Sequence, residues 1–215
     1  TKAGVSWGGG FSNPLSSQPP DFAAEVVNGK GNPVLISFVK PKSWKVSTNT
    51  GIAIQDYVTT DSAYVLVAPA KGGALDPKDL LDKVFDIKGR YGTFGKIDNV
   101  KVSKERTLAE GNSQYLYLDF KFTSLSPGGR EIDRNACLKA TVVDGDAVML
   151  VASSNSNRWN KVKDTIAASV TSFAVVPTPK TELKGGQVES EIGNKAALGV
   201  AGYDLLRYDS PVWTN

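Results

Sequence analysis

The stretch "SQYLYLDFKFTS" (113–124) decides the fold, because its side chains alternate strictly between two sets. Successive residues of a β-strand point to opposite faces, so a period of two predicts a strand. One set is more polar and the other is aliphatic and aromatic. The sets are Tyr115, Tyr117, Asp119 and Lys121 against Leu116, Leu118, Phe120 and Phe122.

Two neighbouring stretches predict hairpins around this strand. In "VVDGDAVML" (142–150), Asp144 and Gly145 separate two apolar runs, which is a strong signal for a tight β-hairpin turn. In "GIAIQDYVTTDSAYVLVAPA" (51–70), two runs rich in Val, Ile and Tyr are broken at Thr60 and Asp61. Strands joined by hairpins form antiparallel sheets.

Two segments have helical patterns. "LDPKDLLDKVFDIKGRYG" (75–92) offers Asp76 as an N-terminal cap and Pro77 at the first helical position. "SNSNRWNKVKDTIAASVTSF" (154–173) spaces its apolar residues by three or four, which gives one apolar stripe. Hairpins combined with two helices, without regular βαβ alternation, predict an α+β fold with helices covering an antiparallel sheet.

The second helix begins among cations, although the positive end of the helix dipole disfavours them by up to about 1 kcal/mol. Its first residues therefore suggest a purpose other than helix stability, such as orientation toward an acidic partner. Two other basic groups occur, and the three together form either an ordinary solvated surface or a patch that steers docking to an acidic protein or anionic membrane. The groups are Arg158–Lys161–Lys163, Lys101–Lys104–Arg106 and Arg130–Arg134–Lys139.

The composition disfavours common catalytic chemistry. The 215 residues include no histidine, which removes the commonest general base and metal ligand together with Ser-His and Cys-His nucleophiles. The net charge of +3 is too small to predict a nucleic-acid partner. Cys137, the single cysteine, lies in a strand-like run and is predicted to be a small buried residue, with a reactive thiol as the alternative.

Clustered carboxylates leave an ion-binding module or a carboxylate-based enzyme as a second class of function. Oxygen ligands of this kind suit a hard cation such as Ca²⁺, but the spacing of a calcium-binding loop is missing. Exposed strand faces and turns are the favoured interpretation. The carboxylates are Asp119, Glu131, Asp133, Asp144 and Asp146.

The composition divides the chain into an irregular arm (1–33), a folded domain (34–176) and a polar tail (177–215). The arm is either a flexible leader or a segment that becomes ordered on a partner. Aromatic residues in polar segments suit anchoring, because each buries a large area at a modest entropic cost. The candidate partner-binding residues are Trp7, Phe11, Phe22, Arg158, Lys161, Lys163, Tyr203, Leu206, Tyr208 and Trp213.

Over about residues 34–176, the chain resembles the PsbP family of thylakoid-lumen proteins. The resemblance is carried by "PKSWKV" (41–46), "GIAIQDYVTTDSAYVLVAPA" (51–70) and "FGKIDNVKV" (94–102). It continues through "SQYLYLDFKF" (113–122), "LKATVVDGDAVMLVASSNSNRW" (138–159) and the helix ending in "TSF" (171–173). Each motif is weak alone, and their common order makes the resemblance specific.

The resemblance implies a PsbP-like α-β-α sandwich, with an antiparallel sheet of about six strands flanked by helices. It also implies a non-enzymatic extrinsic subunit in the chloroplast thylakoid lumen, peripheral to the membrane and without a small-molecule substrate. The expected partners are the photosystem II core and other extrinsic subunits of the oxygen-evolving complex. Retention of Ca²⁺ and Cl⁻ would be indirect, with no cofactor bound by this chain. The alternatives are an assembly factor, or an accessory subunit of photosystem I or of the chloroplast NDH complex.

Overall fold

The structure, a computed structural model, describes residues 21–47 and 52–178. Neither helix in these ranges is long and apolar enough to cross a lipid bilayer. The strands are β1 (Phe22–Val27), β2 (Pro33–Phe38), β3 (Lys45–Ser47), β4 (Ala53–Gln55), β5 (Ser62–Pro69), β6 (Asp98–Glu110), β7 (Ser113–Leu125), β8 (Glu131–Val143), β9 (Asp146–Asn155) and β10 (Ala174–Pro177). The helices are α1 (Pro77–Val84) and α2 (Trp159–Thr171), with short 3₁₀ turns at Lys71–Gly73 and Gly92–Phe94.

The described strands form two antiparallel sheets. The larger has seven strands in the order β3-β4-β5-β9-β8-β7-β6, and the smaller has three in the order β1-β2-β10. All neighbouring strands pair antiparallel, so the predicted α+β class is confirmed. The large sheet exceeds the expected six strands because the short β3 adds an edge, and the small sheet was not foreseen.

The alternation in β7 divides the core into two layers. Tyr115 and Tyr117 point to the side where α2 and the small sheet pack, which we call the α2 face. Leu116, Leu118 and Phe120 point to the opposite side, the α1 face, where they meet the buried residues of α1. Burying one such side chain contributes about 1.5–3 kcal/mol, so both layers stabilise the fold. The predicted sandwich, with a helix on each side of the sheet, is confirmed.

Helix α1 begins as predicted and ends earlier than predicted. The Asp76 carboxylate accepts a hydrogen bond of 3.0 Å from the backbone N–H of Asp79, and Pro77 is the first helical residue. The helix ends at Val84, whereas the sequence predicts an end near Gly89. Asp86 causes the stop, because its side chain accepts from the N–H of Lys88 and favours a turn over another helical turn.

Part of the predicted irregular arm is a strand, so the boundary at residue 34 is wrong. Strand β1 pairs with β2 from Phe22 opposite Phe38 to Val27 opposite Pro33. The Gly and Asn residues that suggested irregular structure form the turn between these strands. Asn28 organises that turn, because its Oδ1 accepts from the N–H groups of Lys30 at 3.0 Å and Asn32 at 2.9 Å.

The same turn fastens the small sheet to the large one. Asn28 Nδ2 donates to Asp144 Oδ2 at 3.1 Å, and the Gly29 N–H donates to Asp146 Oδ2 at 2.6 Å. Asp144 and Gly145 have φ angles of 55° and 95°, which confirms the tight hairpin predicted between β8 and β9. Two turns that are far apart in the sequence thus close one end of the sandwich.

Candidate functional site

Four exposed basic residues lie together at the β6 edge of the large sheet. We call Lys101, Lys104 and Arg106 of β6, with Lys121 of β7, the basic strip. Lys101 pairs with Lys121, Lys104 with Asp119, and Arg106 with Tyr117. Directly paired residues share a face, so the whole strip lies on the α2 face. Lys101 and Lys104 are three residues apart, so in a regular strand they would point to opposite faces. The register shift between Val102 and Lys104 inserts one extra residue, and both lysines therefore lie on the α2 face.

The strip rests on an ordered layer of polar contacts. The Arg106 guanidinium carbon lies 4.4 Å from the centre of the Tyr117 ring, a cation–π contact. The Cys137 thiol donates to Asp119 Oδ1 at 3.0 Å. Burial, and then the Asp119 carboxylate, raise the pKa of Cys137, so the thiol stays protonated. Cys137 is 2% exposed, which confirms its prediction as a small buried residue.

Arg158 explains why α2 begins with a cation. Its Nη2 lies 3.2 Å from Oδ2 of Asp61, a carboxylate that is buried in the loop between β4 and β5. The Thr59 hydroxyl donates to the same oxygen at 2.8 Å. A buried carboxylate needs an opposite charge, so Arg158 fastens this loop to the start of the helix. Lys161 and Lys163 are exposed, and they are the members of this group left facing solvent.

The strip and the start of α2 occupy the same end of the large sheet. Lys121 pairs with Asn135, and Asn135 pairs with Ser154, which places these residues and Lys101 in one row on the α2 face. The row crosses four strands, a distance of about 14 Å. Because α2 starts at Trp159, just after this row, it begins at the same end of the sheet as Lys101 and Lys121.

The third basic group does not form a patch, and Lys139 does not lie on an ordinary solvated surface either, so neither alternative holds for it. Lys139 is completely buried, and its Nζ donates to both oxygens of Glu110 at 2.8 and 2.9 Å and to the Thr171 carbonyl at 2.8 Å. Burial lowers the pKa of Lys139, and Glu110 partly offsets this. Arg134 pairs with Phe122 and therefore lies on the α1 face, whereas Arg130 is exposed in the turn before β8.

A cleft of about 210 Å³ opens on the α1 face, at the end of the sheet where β4 stops and β5 and β8 begin. Its lining includes Gln55, Asp56, Tyr57, Arg90 and Arg134. Local sequence patterns do not predict this cleft, because its residues come from three separate parts of the chain.

Two tyrosine rings support the cleft arginines. The Arg90 guanidinium carbon lies 5.7 Å from the Tyr64 ring centre, and that of Arg134 lies 5.9 Å from the Tyr91 ring centre. The two rings meet edge to face at 5.7 Å. The Tyr91 hydroxyl donates to Ser153 Oγ at 2.7 Å, which fixes its ring against the sheet. Burial raises the pKa of both tyrosines, so both stay neutral.

The clustered carboxylates of the sequence lie at separate places. Asp144 and Asp146 fasten the small sheet, and Asp119 accepts from Cys137. Asp133 accepts from Thr123 Oγ1 at 2.8 Å, and Glu131 is exposed at the start of β8. Within residues 21–47 and 52–178, no three histidine, cysteine or acidic side chains are grouped so that they could hold a metal ion.

The aromatic candidates fall into two groups. Phe22 lies in β1, with its ring centre 4.8 Å from that of Phe38, and packs against the core. This corrects its prediction as an anchor in an irregular arm, because strand pairing with β2 turns the ring inward. The other candidates lie outside the described residues: Trp7, Phe11, Tyr203, Leu206, Tyr208 and Trp213.

Comparisons with known proteins give structural similarity at low sequence identity. No family model matches the chain, and no curated protein matches its sequence. The cyanobacterial PsbP protein CyanoP from Synechocystis is 16% identical, with a TM-score of 0.47 over 76% of this chain and 99% of that one. LpqN from Mycobacterium tuberculosis, involved in cell envelope biogenesis, is 14% identical, with a TM-score of 0.43 over 73% and 91%. The Ran-binding protein Mog1p from Saccharomyces cerevisiae is 11% identical, with a TM-score of 0.42 over 73% and 96%.

These three proteins have different functions, so the similarities assign none of them to this chain. The resemblance to the PsbP family, drawn from the sequence motifs, stays a prediction.

Proposed function

We propose that this protein is a non-enzymatic accessory subunit that docks through the basic strip and the start of α2. Its partner is an acidic surface on the lumenal side of a photosynthetic membrane complex, photosystem II with its oxygen-evolving complex. The observation that carries the proposal is the strip itself, four exposed cations on one face of a sheet edge. The PsbP-like sequence motifs support the choice of complex.

The strip has the physical properties that steering requires. Strand β6 has thirteen residues, most of them exposed, and it forms the edge of a seven-stranded sheet that holds it rigidly. Lysines on an edge strand also hinder unwanted pairing with other strands. Like charges held at fixed spacing raise the rate at which the protein associates with an acidic surface, and they fix the orientation of the protein on that surface.

On this proposal, the protein lies in the chloroplast thylakoid lumen, peripheral to the membrane, beside other extrinsic subunits. When this protein covers the loops of its partner, the partner retains its Ca²⁺ and Cl⁻ ions. No ligand from this chain is needed, because loops held closed over an ion slow its escape.

The test compares two charge reversals of equal size. The double variant Lys101→Glu/Lys104→Glu alters the strip, whereas Lys78→Glu/Lys88→Glu alters two exposed lysines on α1 and the turn after it. Each protein is added to photosynthetic membranes stripped of peripheral proteins by salt, and binding is measured by sedimentation. We expect the strip variant to bind about tenfold more weakly, a loss of about 1.4 kcal/mol, and the control to bind like wild type.

Equal weakening in both double variants would mean that net charge, rather than the strip, controls binding. Failure of the wild-type protein to bind any thylakoid complex would refute the proposed partner. Quantifying the native protein in purified intact photosystem II and in assembly intermediates then separates a stable subunit from an assembly factor.

A further inference from the structure

We propose that the cleft on the α1 face is a binding site for a carboxylate group held by Arg90 and Arg134. This site lies across the sheet from the basic strip and does not depend on the docking function.

The two guanidinium groups are ordered without any carboxylate partner among the described residues. The ion pairs Lys96–Asp98, Lys139–Glu110 and Arg158–Asp61 of the described residues include neither Arg90 nor Arg134. Arg90 instead donates from Nη2 to Gln55 Oε1 at 3.1 Å. Arginine side chains that are fixed in advance lose less entropy when they bind an anion in the planar geometry that suits them.

Arg134 provides further evidence of an incomplete site. Its Nε is buried and has no hydrogen-bond partner within residues 21–47 and 52–178. A buried donor without a partner costs about 1–3 kcal/mol, and a rotation of the Arg134 side chain that turns Nε toward an acceptor bound in the cleft would recover part of that cost.

The charge of the cleft favours a carboxylate over a phosphate dianion. Arg90 and Arg134 are opposed by one lining carboxylate, Asp56, so the cleft has a net charge of one positive unit. Asp56 is turned toward its own loop, because its Oδ1 accepts from the N–H groups of Val58 at 2.9 Å and Thr59 at 3.3 Å. A monoanion would balance this charge, whereas a dianion would exceed it.

The size and rim of the cleft indicate that the carboxylate belongs to a larger apolar group. A volume of about 210 Å³ is more than a carboxylate fills, since an apolar cavity of about 150 Å³ already admits benzene. Tyr57, in the turn at the mouth, is 63% exposed and offers an aromatic surface to such a group. The same chemistry can come from a free aromatic or aliphatic acid, or from an acidic side chain next to an aromatic residue in a peptide.

The experiment follows the arginine Nε–Hε signals of the full chain by NMR during titration. The probes are benzoate, its neutral analogue benzamide, inorganic phosphate, and the peptide acetyl-Phe-Glu-amide with its glutamine counterpart. The variants are Arg90→Gln and Arg134→Gln, with Arg130→Gln as the control, because Arg130 is exposed and does not line the cleft. Thermal unfolding of each variant verifies that it is folded.

We expect benzoate to shift the Arg90 and Arg134 signals with a Kd of about 1 mM, and each cleft variant to weaken binding at least about tenfold. The control should bind like wild type, and phosphate should bind more weakly. Tighter binding of the acidic peptide than of benzoate would identify a protein source, and the reverse would identify a free acid. The proposal is overturned if benzamide acts like benzoate, if phosphate binds more tightly, or if no probe shifts these signals.

Discussion

Replacement of Arg158 by alanine tests whether Asp61, rather than a partner protein, placed a cation at the start of α2. Removing one member of a fully buried ion pair costs about 3–5 kcal/mol. The Arg158 side chain is 33% exposed and Asp61 keeps the Thr59 hydroxyl at 2.8 Å, so water and this hydrogen bond reduce the cost. We expect the free energy of unfolding to fall by about 2–3 kcal/mol, which corresponds to a Tm lower by about 5–10 °C.

The assay is urea and thermal unfolding followed by circular dichroism, with Lys161→Ala as the matched control. Lys161 occupies the first turn of the same helix and is exposed. Its removal should change the free energy of unfolding by less than about 0.5 kcal/mol, with a small gain because a cation leaves the positive end of the helix dipole. Combining Arg158→Ala with Asp61→Asn should cost less than the sum of the two single changes, by about 1–2 kcal/mol.

Two results would contradict this reasoning. If Arg158→Ala unfolds like wild type, the ion pair contributes nothing and the cation needs another explanation. If Lys161→Ala destabilises the protein as much as Arg158→Ala does, the basic helix start acts as a unit and the assignment to Asp61 is wrong.

Other substitutions test the core around the cleft, and pH tests its phenols. Tyr64→Phe should leave stability unchanged or slightly raised in urea unfolding, because its buried hydroxyl has no hydrogen-bond partner among the described residues. Tyr91→Phe should cost about 1 kcal/mol by losing its bond to Ser153. Gly92→Ala should lower the Tm strongly, since a Cβ there would collide with the Asp86 carbonyl oxygen. Burial raises the pKa of four tyrosines, so above pH about 10 the unfolded chain releases protons that the folded one keeps, and stability should fall as pH rises. An increase in phenolate absorbance equivalent to four tyrosines should then coincide with the loss of circular dichroism; ionisation of these four at a pH where circular dichroism is unchanged would contradict the assignment. These tyrosines are Tyr64, Tyr91, Tyr115 and Tyr117.

Local signals predicted the elements that depend on neighbours in the sequence. The alternation of residues 113–124 corresponds to β7, the Asp144–Gly145 pair forms the hairpin between β8 and β9, and Asp76 caps α1. Each of these outcomes is decided within a few residues, by period, turn geometry or a single hydrogen bond. The strand β1 was missed because its Gly- and Asn-rich turn has the composition of an irregular segment.

Features that depend on distant parts of the chain could not be predicted from local patterns. Lys139 has the sequence appearance of a surface lysine, and it is buried because β6 supplies Glu110 and the end of α2 supplies a carbonyl. The cleft likewise needs Arg90 and Arg134 to meet on one face. The packing of the strands, of α2 and of the turn after α1 decides which of these residues become neighbours.

The small sheet also determines how the folded domain responds to mechanical tension. Strand β2 lies between β1 and β10, which run parallel to each other, with Phe22 opposite Phe38 and Pro177 opposite Val34. Tension applied to the chain before β1 and after β10 therefore acts on these two strands in opposite directions along their axes. All the hydrogen bonds to β2 resist that shear together, instead of opening one after another, so the small sheet should withstand more force than a sheet whose strands separate bond by bond.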